Sequence, residues 1–234
     1  MKNDTDKTPS STASSQSSSP ERNPGGDRFT RDEVLHYEGR RYRNPDQRWV
    51  KNREEHIVKE LFKGLSGPNK RVLDLPCGYG RFTGLIRELH LSQVCSDRSF
   101  EMVRRSREKF VFPDVNGVTA DASFPLPFND KSFDIVLCIR LFHHIQDRNS
   151  MAFLLREFHR VTSEWIILST YLSNPLHRIQ RMLRRLIRKR QTKIHMPSSR
   201  EWSLILKESG LECVSEMPLL RGLHAQRFQL LRKG

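Results

Sequence analysis

A short run of residues in the first half of the chain carries the clearest chemical signal. The sequence LDLPCGYGRF at 73–82 places Asp74 within an apolar run and two glycines, Gly78 and Gly80, directly after it. Glycines in such a loop let the backbone approach a ligand closely. A carboxylate beside them attracts a cationic group and repels a phosphate. The spacing therefore predicts a small-molecule site, and Asp74 favours a ligand that carries an ammonium group.

Two classes of cofactor compete for such a loop. A dinucleotide would place its pyrophosphate on the glycines, and the glycines at 78, 80 and 84 superficially allow this. However, Asp74 would repel a pyrophosphate, and Pro76 lacks a backbone N–H that a pyrophosphate loop would use. S-adenosylmethionine instead offers an ammonium group to Asp74 and a carboxylate to the loop amides. The loop, including Pro76, therefore favours S-adenosylmethionine over a dinucleotide.

Further residues with useful chemistry follow later apolar runs. Asp97 ends the run SQVCSD, 23 residues after Asp74, which is the spacing of an acid that binds ribose hydroxyl groups. His143 and His144 follow the run FDIVLCI. Histidine titrates near neutrality and can take a proton from an attacking hydroxyl or amine, so both are candidate catalytic residues. The alternative is that they pack against the cofactor or orient it.

These candidate residues lie in a chain whose strand-like and helix-like runs alternate. Helical spacing of apolar residues occurs at 45–67, 82–89, 99–110, 149–161 and 200–210, and strand-like runs occur at 71–75, 92–97, 115–121, 133–139, 164–171, 211–217 and 225–232. The alternation predicts an α/β fold with right-handed βαβ units and a mostly parallel sheet. A short link joins the last two strands, which permits antiparallel pairing at one edge. Ligands in such sheets bind at the carboxyl ends of the strands.

The first motif resembles that of class I S-adenosylmethionine-dependent methyltransferases with a type 11-like domain. In those proteins the motif has the form Asp-x-Gly-x-Gly-x-Gly. The run VLDLPCGYGRFTGLI at 72–86 is similar to it, since Asp74, Gly78 and Gly80 match. Pro76 departs from the pattern at the first glycine. The resemblance implies that this loop holds the cofactor.

Later motifs extend the resemblance to residues 46–232. The run VCSDRSFEMVRRSREK is similar to the second motif, with Asp97 at the end of its strand. The run TADASFPLPFNDKSFDIVLCIRLFHHIQD is similar to the next two motifs, and Asp121 and Ala122 occupy the place where the adenine is bound. The order and spacing of four motifs identify the resemblance more specifically than any one of them.

The resemblance implies both a fold and a reaction. The implied fold is a Rossmann-like, seven-stranded, mostly parallel sheet with an antiparallel edge and helices on both faces. The implied reaction is methyl transfer, with His143 and His144 near the methyl group. Transfer from a sulfonium is a direct displacement, so positioning of the reactants can supply most of the catalysis.

Composition divides the chain into a tail and a folded domain. Residues 1–27 are rich in Ser, Pro and Gly and contain no aromatic residue, Val, Ile or Leu, so we expect a disordered tail. Residues 28–234 form the expected methyltransferase domain. No apolar run is long enough for a signal peptide or a membrane span, and the four cysteines lack zinc or disulfide spacing. We therefore expect a cytoplasmic enzyme without a metal.

The segment 175–193 concentrates positive charge. It contains eight Lys or Arg residues and no Asp or Glu, and its apolar residues recur at helical spacing. This pattern predicts a basic amphipathic helix inserted after the fifth strand. The helix either packs on the domain with a solvated outer face or meets anionic lipid or a glycolipid-like acceptor at a membrane surface. RNA is a less favoured partner, because the helix has no aromatic residue for base stacking.

The net charge of +14 favours an acidic partner. We therefore expect the methyl acceptor to be an anionic or amphiphilic small molecule or a lipid. The segment before the first predicted helix contains Tyr37, Tyr42 and the arginines Arg40, Arg41 and Arg43. It could fold over the cofactor, with the arginines facing an anionic substrate. Alternatively, it could be a solvated segment that leads into the helix. The alternatives for function are an RNA methyltransferase, a dinucleotide oxidoreductase, and a non-catalytic nucleic-acid- or membrane-binding protein of the same fold.

Overall fold

The computed structural model describes residues 29–65, 67, 69–109, 115–173, 196–221 and 224–234. The predicted tail at 1–27 and the predicted basic helix at 175–193 lie outside these residues. The described part of the chain forms a seven-stranded sheet with helices packed on both faces. The α/β fold predicted from the alternating runs is therefore confirmed.

The sheet is parallel except at one edge. Its strands are β1 (Arg71–Asp74), β2 (Ser92–Asp97), β3 (Val115–Thr119), β4 (Phe133–Cys138), β5 (Thr162–Tyr171), β6 (Leu211–Pro218) and β7 (Gln226–Lys233). They lie in the order β3-β2-β1-β4-β5-β7-β6, and β7 pairs antiparallel with both β5 and β6. The strand order reverses between β1 and β4, so a crevice is expected at the carboxyl ends of these two strands.

Two layers of helices bury the two faces of the sheet. The helices are α1 (Arg31–Arg41), α2 (Pro45–Phe62), α3 (Thr83–Glu88), α4 (Phe100–Lys109), α5 (Arg148–Val161) and α6 (Ser199–Glu208), with a short 3-10 helix at Phe142–His144. Successive strand residues point to opposite faces. Val136 packs with Phe158 of α5 and Trp202 of α6, whereas Ile135 packs with Phe62 of α2 on the other face. Within the described residues, no helix is long and apolar enough to cross a bilayer.

Helix α1 occupies a segment in which the sequence analysis identified no helix. A capping box begins it: Thr30 Oγ1 accepts a hydrogen bond of 3.3 Å from Glu33 N, and the Glu33 carboxylate accepts one of 2.8 Å from Thr30 N. Val34 is buried against Tyr79 and Met102. The Thr-x-x-Glu pattern was the available signal for this helix start. The rest of the helix could not be predicted from the sequence, because its apolar residues show only weak helical periodicity.

The loop that carries Gly78 and Gly80, called the glycine loop below, packs closely against α4. Gly80 has a φ of +80°, and a Cβ on it would lie 2.6 Å from Ser106 Oγ and 3.1 Å from Ser106 Cα. Gly78 has a φ of +52°, but a Cβ there would meet nothing within 4 Å. Helix α3 begins at Thr83, one residue after the start of the predicted helical run at 82–89. The loop therefore requires glycine at position 80 for two reasons, backbone conformation and close packing.

We expect Gly80→Ala to destabilise the protein more than Gly64→Ala does. Gly64 has a φ of +81°, nearly the same as Gly80, but a Cβ there would meet nothing within 4 Å. Both substitutions carry the left-handed backbone penalty of roughly 1–2 kcal/mol. Gly80→Ala also overpacks the contact with Ser106, which adds about 1–3 kcal/mol. Urea unfolding of the two variants measures the difference, and equal losses would show that α4 does not constrain the loop.

Candidate active site

A cavity of about 1250 Å³ opens at the carboxyl ends of the central strands. The glycine loop and the ends of β2 and β4 form its walls, and residues of α1 lie over it. The predicted site residues that line it are Pro76, Gly78, Asp97, Asp121, Ala122, His143 and His144. Residues predicted from separate motifs are thus brought together around one space. Gly80 and Asp74 are not part of its wall.

Asp97 connects the glycine loop to the start of α4. Its Oδ2 atom accepts a hydrogen bond of 3.0 Å from Gly78 N, and its Oδ1 atom accepts one of 2.9 Å from Ser99 N. The carboxylate is half-buried at the cavity wall. Each carboxylate oxygen has two lone pairs. Asp97 can therefore hold the loop in place and still accept hydrogen bonds from a ligand.

Asp121 and Ala122 line the cavity just beyond the end of β3. The Asp121 Oδ1 atom accepts a hydrogen bond of 2.9 Å from Ser123 N, which fixes the turn. Its Oδ2 atom lies 3.6 Å from Arg98 Nε in an exposed ion pair. The small side chain of Ala122 leaves room beside this carboxylate. The two residues form one end of the cavity, on the same side as Asp97.

Asp74 lies behind the cavity rather than in its wall. Its side chain is 1% exposed, and its Oδ2 atom accepts a hydrogen bond of 3.0 Å from Gln93 Nε2. Burial, and then the nearby Cys95 and Asp97, raise the pKa of Asp74 well above its usual value. The Asp74 side chain is directed toward Gln93 on β2 and does not line the cavity. A role for Asp74 in cofactor binding stays a prediction.

The two histidines lie where the cavity passes the end of β4. Their rings are 4.0 Å apart, and the His143 ring is 5.0 Å from the Tyr171 ring. Burial, followed by the positive charge of His144 and of two arginines, lowers the pKa of His143 to about 4. The Nδ1 atom of His143 is buried and has no hydrogen-bond partner among the described residues. His143 is therefore neutral at physiological pH.

A buried carboxylate that the sequence analysis missed lies beneath the cavity. Glu54 of α2 is fully buried and accepts hydrogen bonds from Arg81, from Arg140 Nε at 2.9 Å and from Gln226 Nε2 at 2.7 Å. Burial alone would raise its pKa, but the two guanidinium groups hold the pKa of Glu54 below its usual value. Arg81 ends the glycine loop and Arg140 follows β4. Glu54 therefore joins the two main walls of the cavity.

A second cavity of about 760 Å³ adjoins the first beneath α1. The residues that line both cavities are Phe29, Tyr37, Arg41, Tyr42 and Arg140. Arg40 lines only the second cavity, and Arg43 lines neither. The Tyr37 ring lies 6.3 Å from the Tyr79 ring, so aromatic contacts hold α1 against the glycine loop. Two alternatives were open for this segment, and the structure favours the one in which it lies over the site, because Tyr37, Arg41 and Tyr42 line both cavities.

The comparison with family models decides which class of protein this geometry belongs to. A family described as a methyltransferase domain matches residues 46–216, most of the chain. The chain is a class I S-adenosylmethionine-dependent methyltransferase. This membership confirms the predicted enzyme class and cofactor and sets aside the dinucleotide oxidoreductase and the non-catalytic protein. A search of curated protein sequences found no match to this methyltransferase.

Solved structures share the fold of this methyltransferase at low sequence identity. Magnesium protoporphyrin IX methyltransferase from Synechocystis PCC 6803, with bound S-adenosylhomocysteine, has a TM-score of 0.66 and 15% identity, and the match covers 82% of this chain and 88% of that one. A protein from Pyrococcus horikoshii OT3 gives 0.64 and 21%, covering 86% and 99%. An S-adenosylmethionine-dependent methyltransferase from Methanosarcina mazei gives 0.59 and 17%, covering 76% and 96%.

The residues around the first cavity fit the cofactor of this class. Gly78 leaves open space beside its Cα atom, where a Cβ would otherwise project. Asp97 offers carboxylate lone pairs next to that space, as ribose hydroxyl groups require. Within the described residues, no group of three His, Cys, Asp or Glu side chains is placed to hold a metal ion. S-adenosylmethionine supplies a methyl group on a positively charged sulfur, and the chain supplies the surfaces that orient it.

Removal of the Glu54 carboxylate should strongly destabilise the methyltransferase. In the nearly isosteric variant Glu54→Gln, Arg81, whose side chain is 9% exposed, loses its closest charge partner and keeps only the 3.5 Å contact with Glu55. Breaking a buried pair in this way costs about 3–5 kcal/mol. The matched control is Glu88→Gln, which removes the exposed pair with Lys59 and should cost less than about 1 kcal/mol. Urea unfolding of both variants checks this, and a Glu54→Gln loss no larger than that of the control would contradict it.

The low pKa of His143 should make part of the stability depend on pH. Its value of about 4 lies below the ordinary value of 6.5, so the unfolded chain binds the proton more readily between these two pH values. The free energy of unfolding must therefore fall as the pH falls from 6.5 to 4. We expect His143→Gln to show a smaller fall than the wild type, by on the order of 1 kcal/mol for this partly exposed group.

Urea unfolding at pH 7.5, 6 and 5 measures this difference, because other groups that titrate in the same window are common to both proteins. The exposed His56→Gln variant controls for the removal of an imidazole. Parallel curves for wild type and His143→Gln would show that His143 titrates alike in the folded and unfolded states.

Proposed function

We propose that this methyltransferase transfers a methyl group to an anionic or amphiphilic small molecule or lipid that enters beneath α1. The observation that carries this proposal is the adjacency of the two cavities. The first borders the glycine loop and Asp97, and the second is lined by aromatic and arginine side chains of α1. Pro76, Gly78 and Asp97 would hold the cofactor in the first space, and the acceptor would bind in the second space, which shares Arg140 after β4 with the first.

The glycine loop and Asp97 hold the cofactor in this proposal. Gly78 lines the cavity with an open Cα position, and Gly80 keeps the loop close to α4. Asp97 accepts hydrogen bonds from Gly78 N and Ser99 N. The Asp97 carboxylate lies in the cavity wall, and a carboxylate suits the two ribose hydroxyl groups because it is a hydrogen-bond acceptor. Pro76, which also lines the cavity, contacts the cofactor through its ring because it has no N–H to donate.

Asp121, Ala122 and Asp74 complete the proposed cofactor site in different ways. Asp121 and Ala122 line the end of the cavity next to Asp97, which suits an adenine ring attached to the ribose. Asp74 acts from beneath the loop: its hydrogen bond with Gln93 joins the ends of β1 and β2. A cationic group bound above the loop would favour the ionised form of Asp74 even without direct contact.

His143 and His144 are the proposed acceptors of a proton. A hydroxyl or amine acceptor that takes the methyl group must release a proton as its new bond forms. His143 is neutral at physiological pH and lines the first cavity, so it can accept that proton at an imidazole nitrogen. His144 is more exposed and stacks against His143. It can pass the proton to solvent.

The residues beneath α1 support the choice of acceptor. The rings of Phe29 and Tyr37 lie 5.8 Å apart and offer an apolar surface. Arg40, Arg41 and Arg140 line the same space and outnumber its two carboxylates, Glu33 and Asp46. This mixture suits a molecule with an apolar body and an anionic group. The chain's net charge of +14 also suits RNA, but the covered cavity favours a small molecule or lipid headgroup.

We further propose that the enzyme works in the cytoplasm. All four of its cysteines are free thiols, which suits a reducing compartment. Contact with a membrane surface through residues 175–193 stays a prediction, because the segment lies outside the described residues. The acceptor proposal rests on the cavity alone.

We expect Asp97→Ala to weaken S-adenosylhomocysteine binding by tenfold or more. The variant loses charge-assisted hydrogen bonds to a ligand and to Gly78, each worth about 1.5–3 kcal/mol. Calorimetric titration of the product S-adenosylhomocysteine into wild type and variant measures the change. The control variant is Asp130→Ala, an exposed aspartate paired with Arg160, which should bind as the wild type does.

Calorimetric titration with NADH tests whether the site binds a dinucleotide instead. We expect no heat of binding for NADH. Circular dichroism confirms that Asp97→Ala remains folded. Equal affinities in wild type and Asp97→Ala would reject the role of Asp97. The acceptor is tested separately by isotope transfer from labelled S-adenosylmethionine to lipid, small-molecule and RNA fractions, and label in RNA alone would reject the proposed acceptor class.

A further inference from the structure

We propose that Arg41 and Arg140 together form a subsite for an oxyanion, a carboxylate or phosphate, of the methyl acceptor. This inference rests on the proposed function and names the group by which the enzyme selects its substrate. The two arginines belong to different parts of the fold, the end of α1 and the end of β4. Both line the first cavity and the second. The subsite therefore lies where the two spaces meet.

Arg140 is held in a fixed position by the protein. Its backbone is in the left-handed region, with a φ of +62°, and its N–H donates a hydrogen bond of 2.9 Å to Ser169 Oγ. Its Nε atom donates to Glu54 Oε1 at 2.9 Å. Within the described part of the chain, no hydrogen bond engages the two terminal nitrogens. The unusual backbone geometry thus directs a rigid guanidinium group, with donors still available, into the cavity.

Arg41 supplies a second positive charge from the opposite side. It lies in the last turn of α1, and its guanidinium carbon is 5.1 Å from the centre of the Tyr37 ring. Among the described residues, Arg41 forms no ion pair. Stacking on Tyr37 limits the conformations of the side chain without consuming its hydrogen-bond donors. Arg41 therefore keeps donors available for a ligand.

Both charges act at the same place. Arg41 and Arg140 both line the two cavities, and in agreement with this placement their positive charges each lower the pKa of His143. Both also act on the phenol of Tyr171. The opposing charge comes from Glu54, whose carboxylate is already shared between Arg81 and Arg140. An added anion would offset the remaining positive charge.

The chemistry of guanidinium groups specifies the ligand. Arginine donates parallel hydrogen bonds that match the geometry of a carboxylate or a phosphate. An oxyanion held between Arg41 and Arg140 would lie beside His143. The nucleophile on the same acceptor would then be placed near both the methyl group and the proposed proton acceptor. A neutral analogue of the acceptor would leave the available donors of Arg41 and Arg140 without an anionic partner and would bind less tightly.

Inorganic phosphate is the first probe of this subsite, with NMR of the His143 ring as the readout. The His143 signal is assigned by its loss in His143→Gln. We expect phosphate to shift the signal and to raise the pH at which His143 titrates, because the anion offsets the neighbouring positive charge. Arg41→Gln and Arg140→Gln should each weaken phosphate binding by about tenfold or more. Arg41→Gln is the safer variant, because Arg140 also bonds to the buried Glu54.

The matched control is Arg232→Gln. Arg232 is an exposed arginine on β7. It pairs in the sheet with Trp165, near the start of β5, whereas Tyr171 lies at the other end of that strand. This variant should bind phosphate as the wild type does. Glycerol phosphate and phosphatidylglycerol vesicles, added in separate arms, distinguish a soluble acceptor from a lipid, and a response to either supports the subsite. S-adenosylhomocysteine is titrated into the same samples. If it binds while phosphate leaves the His143 signal unchanged, or shifts it equally in Arg41→Gln, the subsite is rejected and the methyltransferase assignment stands.

Discussion

The arrangement of the cavity depends on one buried carboxylate. Glu54 has no exposed surface, yet it must stay charged to hold Arg81 and Arg140. A charge in such a place is costly unless it is paired and hydrogen-bonded. Here two guanidinium groups and the Gln226 amide supply the pairing. The same interaction that makes the burial tolerable fixes the glycine loop and the end of β4 relative to each other.

This constraint links the cofactor side of the cavity to the acceptor side. Arg81 ends the loop that carries Gly78 and Gly80, and Arg140 is three residues before His143 in the chain. Gln226 extends the connection to Tyr171, whose hydroxyl lies 3.3 Å from the Gln226 Oε1 atom. Displacement of any one of these groups changes the surroundings of Glu54. The two halves of the reaction are therefore positioned by one shared set of hydrogen bonds.

Local patterns in the sequence were sufficient to predict the sheet and the ends of its strands. Apolar runs such as FDIVLCI reflect strands that are covered on both faces, and Asp97 and the histidines follow such runs directly. Glu54 could not be predicted in the same way. In the run NREEHIV its charge looks like part of a solvated helix face, and its burial depends on arginines that lie 27 and 86 residues later in the chain. The orientation of Asp74 depended likewise on Gln93 of the neighbouring strand.

Helix α1 stands apart from the rest of the fold in how it is attached. Among those of its residues whose burial the structure describes, Val34 alone is buried, in a hydrophobic cluster with Tyr79 and Met102. Most of its surface is exposed, although it carries half of the proposed acceptor subsite. Substitutions in α1 can therefore accumulate at little cost to folding stability. Substitutions in the sheet and the glycine loop are tolerated less, because these parts are closely packed. A lineage of such enzymes could change its substrate by changing this helix alone and leave the methyl-donating half of the protein intact.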